Sequence, residues 1–117
     1  IFTNLPATVI GAEINGANGF WQITDGTTTA TTIDDISNAK AGVAYCIEIG
    51  KGDTKHQLAI AKSGNFANIT AAWSPTQVGD YIMVILGKDG KFRELERRVG
   101  GKRTVNKAVQ PNVPGGR

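Results

Sequence analysis

The stretch from Gly79 to Arg98 leaves the chain the fewest choices. Tyr81-Ile82-Met83-Val84-Ile85-Leu86 is apolar at every position, which predicts a strand covered on both faces. Asp89-Gly90 follows and supplies residues that tolerate positive φ in a tight hairpin turn. Lys91 to Arg98 then reads as a mostly polar returning strand anchored by Phe92 and Leu95. Those two residues stand three apart and cannot share a face of a regular strand, so a bulge or twist is expected between them.

A chain of 117 residues predicts one domain with a modest core. Glycine, at 15 residues, exceeds the usual share and favours many turns and short strands over long helices. No apolar run approaches the roughly 18 residues that span a bilayer, so no membrane partner is expected. The chain opens on Ile1 without a charged-then-apolar leader pattern and reads as a processed product or a piece of a longer chain. Cys46 is the sole cysteine, which excludes an internal disulfide and a cysteine metal cluster and fits folding in the cytosol.

Charge is unevenly placed. Up to Gly87 four basic residues face seven acidic ones, a net −3. From Lys88 onward nine basic residues face three acidic ones, a net +6. A mildly acidic body with a basic end points to an acidic partner for that end; a solvated tail has the same composition.

Residues 1–18 read as an entry arm, with a short strand possible over Ala7 to Ile14. Gly19 to Thr24 reads as a strand with Trp21 and Ile23 on one face, followed by the turn pair Asp25-Gly26. The threonine-rich Thr27 to Ile33 reads as a solvated edge strand. Val43 to Ile49 alternates cleanly: Val43, Tyr45, Ile47 and Ile49 are expected inward, and Ala44, Cys46 and Glu48 outward. His56 to Lys62, with Leu58 and Ile60 inward, is expected to pair with it as a second hairpin across the Gly-rich loop at 50–53. The segment around Trp73 reads as a short strand or one helical turn. Five to seven short strands over 19–99 predict an all-β domain, a small antiparallel sandwich or barrel. No repeat of fixed period is evident.

From Gly100 to Arg117 the core pattern ends, and an extended basic tail is expected. Val105, Val109 and Val113 recur every four residues, which is not a strand period. They are expected to seat in apolar notches, with Lys102, Arg103 and Lys107 facing acidic groups. Together with Arg97 and Arg98, these residues form the expected partner-binding set.

The constellations that carry chemistry read more simply as structure. Asp34-Asp35 is a carboxylate pair, but adjacent residues of a strand point to opposite faces, so a turn role fits better than acid/base work. Gly50-Lys51-Gly52-Asp53-Thr54-Lys55 lacks the spacing of a phosphate loop. Cys46, Asp53 and His56 make no complete metal or nucleophile set. No cofactor, metal or enzymatic activity is therefore expected. The aromatic residues fall at core positions of their strands. None interleaves with the basic cluster, which disfavours single-stranded nucleic acid as its partner.

The order of several pieces resembles a known group of proteins. They are Ile36-Ser37-Asn38, Gly42-Val43-Ala44-Tyr45-Cys46-Ile47, Ile60-Ala61-Lys62-Ser63-Gly64-Asn65-Phe66, Trp73-Ser74-Pro75, Gly79-Asp80-Tyr81-Ile82 and Gly90-Lys91-Phe92-Arg93-Glu94-Leu95. In this succession, over residues 33 to 98, the chain resembles β-rich segments of tailed-bacteriophage virion proteins of capsid, head-decoration or fibre type, as met in phages and prophages of gut Bacteroidales. The resemblance implies a non-catalytic virion component, made in the host cytoplasm, that packs against sister subunits or other virion proteins as an oligomer. A carbohydrate- or surface-binding β-sandwich module is the alternative. A small host protein that binds nucleic acid through its basic tail is a third reading.

Overall fold

The structure, a computed structural model, describes residues 2–5, 13–18, 21–24, 31–50 and 58–107. Among these described residues ten strands run in chain order: β1 (Phe2–Leu5), β2 (Glu13–Asn15), β3 (Trp21–Thr24), β4 (Thr31–Thr32), β5 (Asp35–Ser37), β6 (Ala44–Ile49), β7 (Leu58–Ala59), β8 (Tyr81–Leu86), β9 (Phe92–Val99) and β10 (Lys102–Val105). Single 3-10 turns occupy Gly16–Asn18 and Gly64–Phe66. The chain is all-β, as its patterning predicts; among the described residues there is no α-helix.

Antiparallel pairing, expected throughout, governs only the second half. The main sheet has the order β1-β3-β6-β8-β9-β10, in which β1, β3 and β6 run parallel and β6, β8, β9 and β10 antiparallel. Two further ladders, β2 with β5 and β4 with β7, are also parallel. The chain thus returns to each ladder after a circuit. Phe2 pairs with Trp21, Trp21 with Cys46, Glu13 with Asp35 and Thr31 with Leu58, steps of 19, 25, 22 and 27 residues. Parallel returns to three ladders in turn describe a β-coil, each circuit stacked on the one before. Steps of unequal length explain why the sequence shows no fixed repeat.

The second hairpin expected between Val43–Ile49 and His56–Lys62 does not form. Leu58–Ala59 pairs instead with Thr31–Thr32, and the Ile33 N–H donates to the Ala59 carbonyl at 2.8 Å. Alternation fixes which side chains face inward, as Leu58 and Ile60 do, but not which strand lies alongside. Thr31, expected on a solvated edge, is buried, while Thr32 is exposed. The Asp25-Gly26 turn, Thr27 to Ala30 and the loop at 51–57 with His56 lie outside the described residues. The entry arm contains two strands, β1 and β2.

The three ladders wall one core. Ile14, Ile33, Ile36, Tyr45, Ile47, Ile49, Leu58 and Ile60 pack with Phe66, Ile69, Trp73, Ile82, Val84 and Phe92. Val43, expected inward, and Leu86, at the end of the apolar run, are only partly buried at its margin. Trp73 joins by a two-bond antiparallel bridge to Ile60, and Phe66 stacks on Phe92 with ring centroids 4.9 Å apart.

Local turn chemistry builds the meander of β8, β9 and β10. The Gly90 N–H donates to Gly87 O at 3.0 Å and the Gly87 N–H to Lys91 O at 2.9 Å, with Gly90 at φ +81°. This is a three-residue loop closed by a glycine in the left-handed region. Gly100 and Gly101, at φ +61° and +80°, form the two-residue turn into β10, whose Lys102 pairs with Val99. Residues 102–105, expected in an extended tail, are therefore a strand of the sheet. The expected bulge is present: Val84 faces Glu94 and Met83 faces Glu96, so Leu95 is the extra residue of β9.

Candidate assembly surface

The bulge and the two glycines decide where the charged residues of β9 and β10 go. Residues paired across a ladder share a face, so Phe92, Glu94 and Arg97 lie on the core face opposite Leu86, Val84 and Ile82. Arg93, Glu96 and Arg98 take the outer face with Ile85, Met83 and Tyr81. The pairings of Cys46 with Met83 and Trp21 extend that outer face across β6 to β3.

Arg97, expected at a partner contact, is engaged within the fold. Its Nε and Nη2 donate to the Glu94 carboxylate at 3.0 and 2.6 Å, and Nη1 and Nη2 donate to the Ala72 and Ala71 carbonyls at 3.0 and 2.6 Å. Glu94 is buried and also accepts from Thr70. The pair fastens the loop at 70–72 over the core; a buried charge is tolerated only with partners of this kind.

Arg98 lies beside Asp80, its Nε 4.0 Å from Oδ1. Asp80 is fully buried and gathers four backbone N–H groups: Thr76 at 2.9 Å, Gln77 at 3.2 Å, Gly100 at 2.7 Å and Gly101 at 3.1 Å. Burial alone raises its pKa, but the N–H donors of Thr76, Gly100, Gly101 and Gln77 together hold it below its ordinary value. One carboxylate thereby ties the approach to β8 to the turn before β10.

On the outer face Arg103 reaches back across the sheet. Its Nε and Nη2 donate to the two Glu96 oxygens at 2.9 and 3.1 Å, and the Tyr81 hydroxyl donates to the same carboxylate. Arg103 holds the Glu96 carboxyl below its ordinary value, with help from the Tyr81 hydroxyl and against the effect of burial. Burial, then Glu96, raises the Tyr81 phenol. The Tyr81 ring meets the Trp21 ring at 6.0 Å and 44°, and the Trp21 Nε1–H donates to Glu48 at 2.9 Å. The result is a belt of half-buried aromatic and carboxylate groups, capped by the exposed Arg103 guanidinium, beside Met83 and Ile85. Lys102 and Lys107 are exposed, and Val105 is half-buried opposite Glu96. Val109 and Val113 lie outside the described residues. Arg103 does face an acidic group, as the tail reading has it, but that group belongs to its own chain.

Cys46 sits beneath this belt, 2% exposed. Burial above all, with the nearby Glu48 and Glu96 carboxylates, pushes its thiol far above the ordinary range and holds it protonated, unlike a nucleophilic cysteine. Asp34 is exposed and Asp35 half-buried at the start of β5. Among the described residues no three His, Cys, Asp or Glu side chains are grouped to hold a metal ion, and no helix is long and apolar enough to cross a membrane. An open groove of about 640 Å³ runs past Gly16, Asn38, Lys40 and Tyr45, where Lys40 N–H donates to the Tyr45 hydroxyl at 2.9 Å.

The outer belt escapes sequence reasoning for a definite reason. The apolar run of β8 predicts cover on both faces, with Ile82, Val84 and Leu86 buried; Ile82 and Val84 are buried, whereas Tyr81, Met83 and Ile85 stay half-buried on the outer face. Glu48 is legible as outward from the alternation of its strand; its engagement with Trp21 is not. No known protein family, curated protein or solved structure matches the chain.

Proposed function

We propose that the chain is a non-catalytic structural domain of a virion that packs against sister subunits or other virion proteins. The observation that carries this reading is the outer sheet face, where half-buried Tyr81, Met83, Ile85 and Trp21 adjoin Glu96 and Arg103. An apolar strip beside charged groups is the composition of a protein interface, with aromatic, Met and Arg side chains enriched. The resemblance over residues 33 to 98 supplies the virion context. Sedimentation measures the mass directly: a chain of 12.4 kDa should run as a multiple of that mass or with a virion partner. Ile85→Glu, which places a carboxylate opposite Arg93, should return it to monomer without unfolding it. A parent chain that stays monomeric and partnerless sinks the reading.

The Trp21–Tyr81 pair beside Glu48 favours one second reading, a carbohydrate-binding module, because aromatic faces flanked by carboxylates suit sugar stacking. That reading requires a monomer whose glycan binding disappears in Tyr81→Ala.

A further inference from the structure

We infer that the outer sheet face joins two copies of this chain face to face. The two-fold axis runs along β8, and Glu48 of each copy binds Arg98 of the other. The inference rests on the assembly reading and names its partner.

Register sets the outer face in rows. Glu48, Tyr81 and Arg98 form one row across β6, β8 and β9. Cys46, Met83 and Glu96 form the next, and Ala44, Ile85 and Arg93 the third. The middle of every row comes from β8, and Tyr81, Met83 and Ile85 are all half-buried. Glu48 and Arg98 flank Tyr81 two strands apart, about 10 Å between backbones, so they do not bond within one chain.

The charges of β9 and β10 are unequally satisfied. Arg93, Arg97 and Arg103 each donate to a carboxylate. Among the described arginines Arg98 alone makes no hydrogen bond. Its Nε is buried 4.0 Å from Asp80 Oδ1, while the side chain as a whole stays 40% exposed. The Asp80 carboxylate is already met by four backbone N–H groups. A buried donor without an acceptor is costly and calls for a partner. Glu48 is the complement: its Oε1 accepts from Trp21, and its Oε2 has no donor among the described residues. A guanidinium fork and a carboxylate make strong, directional pairs.

A face that meets its own copy does so about a two-fold axis, because the same patch serves both subunits. Two directions keep the strands of the facing sheets aligned, along β8 or across it. An axis across the strands exchanges the first and third rows and lays Arg98 on Arg93 of the second copy, like on like. An axis along β8 keeps each row on itself and exchanges β6 with β9. Glu48 then lies over Arg98 of the second copy, twice in the dimer, and Tyr81, Met83 and Ile85 meet their own counterparts. Glu96, already bound to Arg103, comes over the uncharged Cys46. Charge selects the axis along β8, and a face complementary to itself selects a second copy as the occupant.

Sedimentation equilibrium of the parent chain should give twice 12.4 kDa. Glu48→Lys and Arg98→Glu should each raise the dimer dissociation constant about a hundredfold. An equimolar mixture of the two should recover it to within about tenfold, because each variant supplies the charge the other lacks. Glu48→Gln and Arg98→Gln keep an acceptor for Trp21 and add no charge beside Asp80, so they test the same contact with the least risk to the fold. Each should weaken the dimer about tenfold, and the double variant no further. A parent dimer that none of these variants weakens overturns the inference; if Ile85→Glu still dissociates it, the assembly reading stands. Two folded charge reversals that mixing does not restore also overturn it, as do Gln losses that multiply in the double variant. A parent that is monomeric alone but binds another virion protein overturns the second copy and leaves the assembly reading standing. A monomer without any partner overturns both.

Discussion

The coil of β1 to β7 and the meander of β8 to β10 use the same bonds in opposite ways. The coil has strands of two to six residues whose partners lie 19 to 27 positions away. The meander has strands of four to eight residues joined by loops of three and two. In the meander, glycines at positive φ set the pairing locally, between strands that are neighbours in the chain. In the coil, a ladder as short as Thr31–Thr32 on Leu58–Ala59 cannot hold by hydrogen bonds alone. Its walls stand because Ile33, Ile36, Leu58 and Ile60 share a core with Ile82, Val84 and Phe92. The meander carries its own instructions, whereas the coil depends on the meander to extend its main wall across the core.

The largest test of that dependence is Phe92→Ala. Phe92 stacks on Phe66 at the seam, and its loss should destabilise the chain by about 3–5 kcal/mol. Circular dichroism and the fluorescence of Trp21 and Trp73 should still report one shared transition. Two separate transitions would mean that the halves fold independently.

Asp80→Asn should cost about 1–3 kcal/mol, because an amide cannot accept from all four N–H groups. The pH dependence has a fixed sign. The folded-state pKa lies below the ordinary 3.8, so the contribution of Asp80 is complete above about pH 5. It is lost as pH falls through the folded-state value. Urea midpoints from pH 6 to pH 2 should fall less steeply for the variant than for the parent. Parallel curves would remove Asp80 from the acid response.

Gly101→Val should cost the least, about 1–2 kcal/mol, by forcing a β-branched residue to φ +80°. The loss should appear as faster exchange confined to β9 and β10. Equal loosening of the coil strands would show that this turn is less local than its geometry implies.

Much of the meander was legible in the sequence, because its instructions lie between neighbours: the apolar run of β8, Gly90, and the misfit of Phe92 with Leu95. The pair Gly100-Gly101 was an equally plain hairpin signal, obscured by the basic segment that follows it, whose valines recur every four residues and not every two. The inward residues of β6 and β7 were legible too. Their partners were not, since a parallel ladder carries no turn between its strands and alternation is silent about neighbours. The outer belt joins Trp21, Glu48, Tyr81, Glu96 and Arg103, five residues from five strands, and only the strand order brings them together.

Leu95 has one more consequence, for how β9 tolerates changes in length. It is the residue with no counterpart on β8, and the flanking residues alternate as though it were absent: Phe92, Glu94 and Arg97 inward, Arg93, Glu96 and Arg98 outward. Asn106 holds the surplus residue in place, its N–H on Leu95 O at 2.9 Å and its amide on Glu94 O at 3.0 Å. Deleting Leu95 would leave every other side chain of the strand on its present face. Deleting Arg93 would turn Glu94 out of the core. β9 therefore has a single position at which it can shorten by one residue without being turned inside out.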